Sequence, residues 1–236
     1  MATPAHPILR NIVNLTFSVN KLKLFLFQCA ELISLIVSLL TAKKLWGTHF
    51  FWFIPFLALT NMVELGARFG WFTIGTSNVW VYNIFENIEF IFYAWFFSTQ
   101  AAIAKKKKIF YLTAAYLCVA CINIIFIQGF FNFHSYSYLL GSLFMIYLVI
   151  DFFYNLLHQQ GEYIHLLKYP PFWISVGILF FYVGMFSFYV YFEFIILHLS
   201  KDYSNLFLVL MDIFNIVLYG CFSIAFLCPK QPVTIR

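Results

Sequence analysis

Long apolar stretches alternate with short polar breaks along almost the whole chain. The stretches run roughly from Leu24 to Ala42, Phe50 to Phe69, Val79 to Ile103, Ile109 to Gln128, Tyr136 to Leu157, Phe172 to Leu199 and Ser204 to Cys228. A bilayer core of about 30 Å needs roughly 20 apolar residues per helical crossing, and each stretch meets that length. The breaks are Lys43-Lys44, residues 70–78, the run Lys105 to Lys108, residues 129–135, residues 158–171 and residues 200–203. The pattern predicts an all-α integral membrane bundle of seven transmembrane helices, spanning residues 24–228. Because the connections are short, consecutive helices should run antiparallel and adjacent. Residues 229–236 would form a short tail. In residues 1–23 apolar and polar positions alternate (Ile8, Leu9, Arg10, Asn11, Ile12), which permits an amphipathic helix on the membrane surface.

Composition narrows the class. The chain of 236 residues is 63% hydrophobic and 10% charged, with 33 Phe and 15 Tyr, a balance that excludes a soluble domain. Its net charge of +5 comes from lysines and arginines lying between apolar stretches, which suits membrane headgroups and argues against nucleic acid. With the N-terminus outside, the inner loops and tail hold Lys43, Lys44, Lys105 to Lys108, Lys168, Lys230 and Arg236, while Arg10, Lys21, Lys23, Arg68 and Lys201 lie outside. The four-lysine run decides that orientation, with the C-terminus inside. The start lacks the pattern of a cleavable signal peptide, so the first crossing serves as the targeting signal. Cys118 and Cys121 read as small buried residues on one helix face, and the five cysteines indicate no disulfide framework.

Ionisable residues inside the apolar stretches carry the functional signal. A carboxylate near the centre of a span costs about 2.5–3.5 kcal/mol on insertion scales, so each needs a partner, a proton or a role. The chain has Glu31, Glu64, Glu86, Glu89, Asp151, Glu193 and Asp212 in such positions. All but Asp151 fall in the outer half, joined by Asn61, Asn83, Asn87, Tyr93 and Tyr189. Asn61, Glu64 and Arg68 share one helix face, as do Asn83, Glu86 and Asn87 on the next, and the two faces can meet across a short loop. Two readings stand side by side. The polar layer is either hydrogen-bonded glue between helices or an outward-facing cavity whose acidic wall selects a cation, an amine-bearing ligand or protons. His158, Glu162 and His165 have the spacing of a metal site only if their segment stays helical. Loop solvation is the alternative, and no cofactor is expected.

Several known membrane classes fail on their required residues. A retinal protein needs a lysine in the last span, and residues 204–228 contain none. Metal-dependent seven-span hydrolases need intramembrane histidines, whereas His49, His158, His165 and His198 sit at edges or in loops. No nucleophile and base stand out, so no catalytic residue is assigned. The run Phe131-Asn132-Phe133-His134-Ser135-Tyr136 through Leu140-Gly141-Ser142 resembles segments of small multi-span membrane proteins of Bacteroidota, as do residues 172–182 and 215–228. The resemblance covers most of residues 55–228 and implies the seven-helix architecture and a bacterial inner membrane, with no particular reaction. The leading expectation is a receptor-like or sensory membrane module that binds a small or lipid-borne ligand from outside. It would signal through a separate protein partner at the cytoplasmic face, having no output domain of its own. An intramembrane enzyme or lipid-handling protein, and a structural subunit of a membrane complex, are the alternatives.

Overall fold

The computed structural model describes residues 24–75, 77–158, 165–198 and 201–229, with side chains described except at 24–25, 191–198 and 201–208. The interfacial segment expected over 1–23, the tail and Glu162 therefore lie outside the described residues, as does the side chain of Glu193. Among the described residues the chain is helical, without a β-strand. Seven long helices follow one another among the described residues: α1 (Leu24–Leu40), α2 (Phe53–Arg68), α3 (Val79–Gln100), α4 (Ile103–Ile122), α5 (Ser135–His158), α6 (Pro170–His198) and α7 (Lys201–Leu227). Five segments of the described residues are long and apolar enough to cross a bilayer, carried by α2, α4, α5, α6 and α7. The chain is thus a helical bundle of membrane-protein character. The apolar part of α1 is shorter, and α3 carries Asn83, Glu86, Asn87 and Glu89 among its apolar residues.

The helices alternate in direction and close into a ring. Arg68 at the end of α2 donates to Gln28 near the start of α1, so these two run antiparallel. Lys44, just past α1, donates through Nζ to the Phe226 carbonyl at the end of α7 at 2.6 Å, so α1 and α7 run parallel. α7 packs on α6, α6 on α5, and α5 on both α3 and α4. α4 touches mainly α3 and α5 and buries few side chains, Ile109, Tyr116 and Ala120. A helix apolar on nearly every side at the edge of such a bundle faces lipid. At the membrane-surface level Trp46, Trp52 and Trp71 are exposed, as expected of interfacial indoles.

Local sequence explains the helix ends. α2 stops at Gly70, whose φ of +77° suits glycine; Trp71 N–H bonds Gly66 O at 2.8 Å and Gly70 N–H bonds Ala67 O at 3.2 Å. This double closure satisfies carbonyls the helix leaves unpaired. Pro170 opens α6, where the missing N–H costs nothing. Pro55 likewise lies in the first turn of α2. The sequence expectation of a loop at Lys105 to Lys108 is corrected: α4 starts at Ile103 after the extended pair Ala101 and Ala102, so the four lysines are helical. Alanine and lysine are both good helix formers, and nothing after Ala102 breaks the run. Cys118 and Cys121 are exposed on the lipid side of α4, not buried. His158 ends α5 while His165 is non-helical, so the spacing that could gather a metal is not maintained.

Small residues set the helix spacing. A Cβ added at Gly177 of α6 would stand 2.9 Å from Cys221 Cβ and 3.2 Å from the Leu218 carbonyl of α7. Backbone cannot step aside as a flexible side chain does. Gly177→Val is expected to destabilise the protein by about 2 kcal/mol, read as an earlier midpoint in a denaturing-detergent titration. An unchanged midpoint would mean that α6 and α7 separate at little cost.

Candidate functional site

The ring encloses two unlike halves. Toward the start of α1 the core is polar; toward the lysine-rich end aromatic rings dominate it. In that aromatic half Phe53 of α2 meets Phe92 and Phe96 of α3 at ring-centroid distances of 4.9 and 5.4 Å, and Phe222 and Phe226 of α7 at 5.4 and 5.8 Å. Phe53, Phe96, Phe222 and Phe226 are completely buried. Edge-to-face rings of this kind interlock without polar atoms.

Above that floor, carboxylates from three helices converge. Glu31 of α1, with 2% of its surface exposed, lies within electrostatic reach of Glu64 of α2 and Glu89 of α3. The Tyr219 hydroxyl of α7 lies against the Glu31 carboxyl, whose other oxygen, Oε2, has no hydrogen-bond partner among the described residues. Glu64 accepts from the Tyr82 hydroxyl at 3.2 Å. The hydroxyls of Tyr93 (α3) and Tyr182 (α6) face Glu89, yet neither closes a bond of ordinary geometry, and both are buried and unpaired. Ser34 Oγ, three residues from Glu31 on α1, is also buried and unpaired. Buried polar groups are nearly always satisfied. Glu31 Oε2, Ser34 Oγ and the Tyr93 and Tyr182 hydroxyls thus lie unpaired near three carboxylates, an arrangement that a bound donor would satisfy.

Other polar residues have structural roles. Asn83 Nδ2 donates to the carbonyls of Phe130 (3.1 Å) and Asn132 (2.8 Å), and its Oδ1 accepts from His134 N–H at 3.2 Å. It ties α3 to the loop before α5. Asn87 Nδ2 donates to Asn83 O at 2.7 Å, and Tyr116 of α4 donates to Asn87 Oδ1 at 3.0 Å. Asn61 donates to Leu57 O in its own helix at 2.8 Å. Asn83 and Asn87 thus tie α3 to its neighbours, whereas the Asn61 bond stays within α2. Glu86 turns away from Glu64, into the neighbourhood of Tyr116, Tyr138 and Tyr189. Asp212 is half-buried on α7, two turns before Tyr219. The lower half of the bundle has its own ion pair: Lys105 Nζ lies 2.9 Å from Asp151 Oδ1 and 2.7 Å from Asn155 Oδ1. The cleft beside it, lined by Gln100, Asp151, Asn155 and Tyr169, holds roughly 30 Å³, which suits a water rather than a ligand.

Sequence reasoning paired the α2 face with Asn83 and Glu86. The structure instead joins Glu64 to Glu31, Tyr82 and Glu89. It also adds Gln28, Ser34, Tyr182 and Tyr219, none of which the sequence reading placed at the site. The available signal was the tyrosines themselves, because a hydroxyl in the middle of an apolar span asks for a polar neighbour. Comparison with protein-family models, with curated proteins and with solved structures finds no match to this chain.

Proposed function

We propose that this chain is a receptor-like sensory module of a bacterial inner membrane, with seven spans including α1 and α3, the N-terminus outside and the lysine-rich end inside. Its chamber between α1, α2, α3, α6 and α7 takes a cationic or amine-bearing ligand, small or lipid-borne, from the outer side. The observation that carries the reading is the convergence of Glu31, Glu64 and Glu89 with unpaired tyrosine hydroxyls at their edges. A low-dielectric wall strengthens attraction for a cation that supplies donors to those oxygens. The aromatic floor below, where Phe53, Phe96, Phe222 and Phe226 are completely buried, supports a dead-end pocket over a transport path. A ligand spanning α1 and α7 on one side and α3 and α6 on the other would shift these helices relative to one another. A protein partner at the lysine-rich end would receive that shift.

Thermal unfolding of the purified protein against a panel of primary and quaternary amines and of mono- and divalent cations tests the proposal. At least one class is expected to raise the midpoint in a concentration-dependent way. Glu64→Gln and Glu89→Gln, which keep side-chain shape, should each weaken that response about tenfold or more in apparent affinity. A flat response to the whole panel would remove the sensory reading and leave the layer as helix glue.

A further inference from the structure

The lysines at the start of α4 are divided in their partners. Lys105 turns inward to Asp151 and Asn155, and Lys108 donates to the Tyr147 hydroxyl at 2.6 Å, both on α5. Lys106 and Lys107 point the other way, are exposed, and have no hydrogen bond or ion pair among the described residues. One turn further on stand Phe110 and Tyr111, each 68% exposed. The i, i+4 spacing sets Lys106 beside Phe110 and Lys107 beside Tyr111 on one flank of α4. Together they bound an open concavity of roughly 320 Å³.

Two features of this flank call for an anion. Four cations occupy the first turns of α4, with no acidic residue there, at the end where the helix dipole repels positive charge. Only Lys105 has a carboxylate partner among the described residues. The flank also belongs to a peripheral helix whose outer side is apolar, so what meets Phe110 and Tyr111 is the edge of the hydrocarbon layer. An aqueous anion would leave the rings without a complement. A protein surface would have to be apolar and acidic at the depth of the headgroups. A phospholipid satisfies both halves, with its phosphate on the ammonium groups and its glycerol and upper acyl chain along the rings.

We propose that Lys106, Lys107, Phe110 and Tyr111 form a binding site for the headgroup phosphate of an anionic phospholipid in the leaflet at the lysine-rich end. The site is independent of the acidic chamber and is distinguished from it by its ligand. It fixes the depth and rotation of α4, which the bundle itself grips on one side only.

Native mass spectrometry of the full chain, with added phosphatidylglycerol or phosphatidylcholine, tests the assignment. The expected result is preferential retention of phosphatidylglycerol by about fivefold or more, abolished in Lys106→Gln/Lys107→Gln and weakened in Phe110→Ala. Lys43→Gln, which removes a lysine elsewhere on the same end, should leave the preference intact. Circular dichroism of each variant checks that the bundle is folded. Equal retention of the two lipids would overturn the site, as would a preference that survives the double substitution. Displacement of the lipid by millimolar inorganic phosphate alone would show a simple anion site and overturn the phospholipid assignment.

Discussion

Replacing Asn83 by leucine is expected to cost about 3 kcal/mol of stability, although leucine is as apolar as the residues around it. The amide makes three bonds outside its own helix, and each leaves a backbone group behind when it is lost: two carbonyls, of Phe130 and Asn132, and the amide of His134. An orphaned buried polar group costs about 1–3 kcal/mol. Asn83 itself is almost wholly buried, with 1% of its surface exposed, so water does not easily stand in. The loss should be local in dynamics as well as global in stability. Amide hydrogen exchange over residues 129–134 should accelerate before that of the helices changes. If exchange there stays slow and the unfolding midpoint holds, the loop is supported by its own bonds, such as His134 Nε2 to Gly129 O, and Asn83 is a spectator.

Phe53→Ala should be comparably severe, at about 3 kcal/mol, for an opposite reason. Hydrophobic transfer contributes little between helices in lipid, so the loss is one of dispersion and ring-edge contact with nothing to refill the space. Phe53 is the ring that α2, α3 and α7 share, and its neighbours are anchored on three separate backbones, so the cavity cannot collapse by moving one helix. Phe110→Ala is the matched comparison, since that ring is exposed to lipid and its removal should leave the unfolding midpoint nearly unchanged. Thermal unfolding in one detergent decides between them. Similar midpoints for the two variants would mean that the aromatic floor is loosely packed.

The helices were legible in the sequence because each apolar run is bounded by glycine, proline or lysine, and the bilayer length leaves little choice. The lysine run misled, because lysine marks a water boundary and also favours helix, and composition alone does not say which property wins. The acidic layer was legible as a set of residues and not as a constellation. Glu86 and Glu89 are one turn apart, yet Glu89 joins Glu31 and Glu64 while Glu86 faces α4 and α5, a division set by how α3 is rotated in the ring. That rotation depends on distant contacts such as Asn83 with the 130–134 loop and Phe90 against Gly141, whose added Cβ would meet the ring at 2.4 Å. No local pattern encodes them. The pairing of Lys105 with Asp151 was hidden for the same reason, donor and acceptor standing 46 positions apart in the chain.

The contact between the first helix and the last has a consequence for biosynthesis. Glu31 finds Tyr219, and Lys44 finds the Phe226 carbonyl, only once α7 has been synthesised. Until then α1 waits in or beside the bilayer with a carboxylate on the side that α7 will cover. The ring of contacts therefore closes late, when the last of these helices packs against the first.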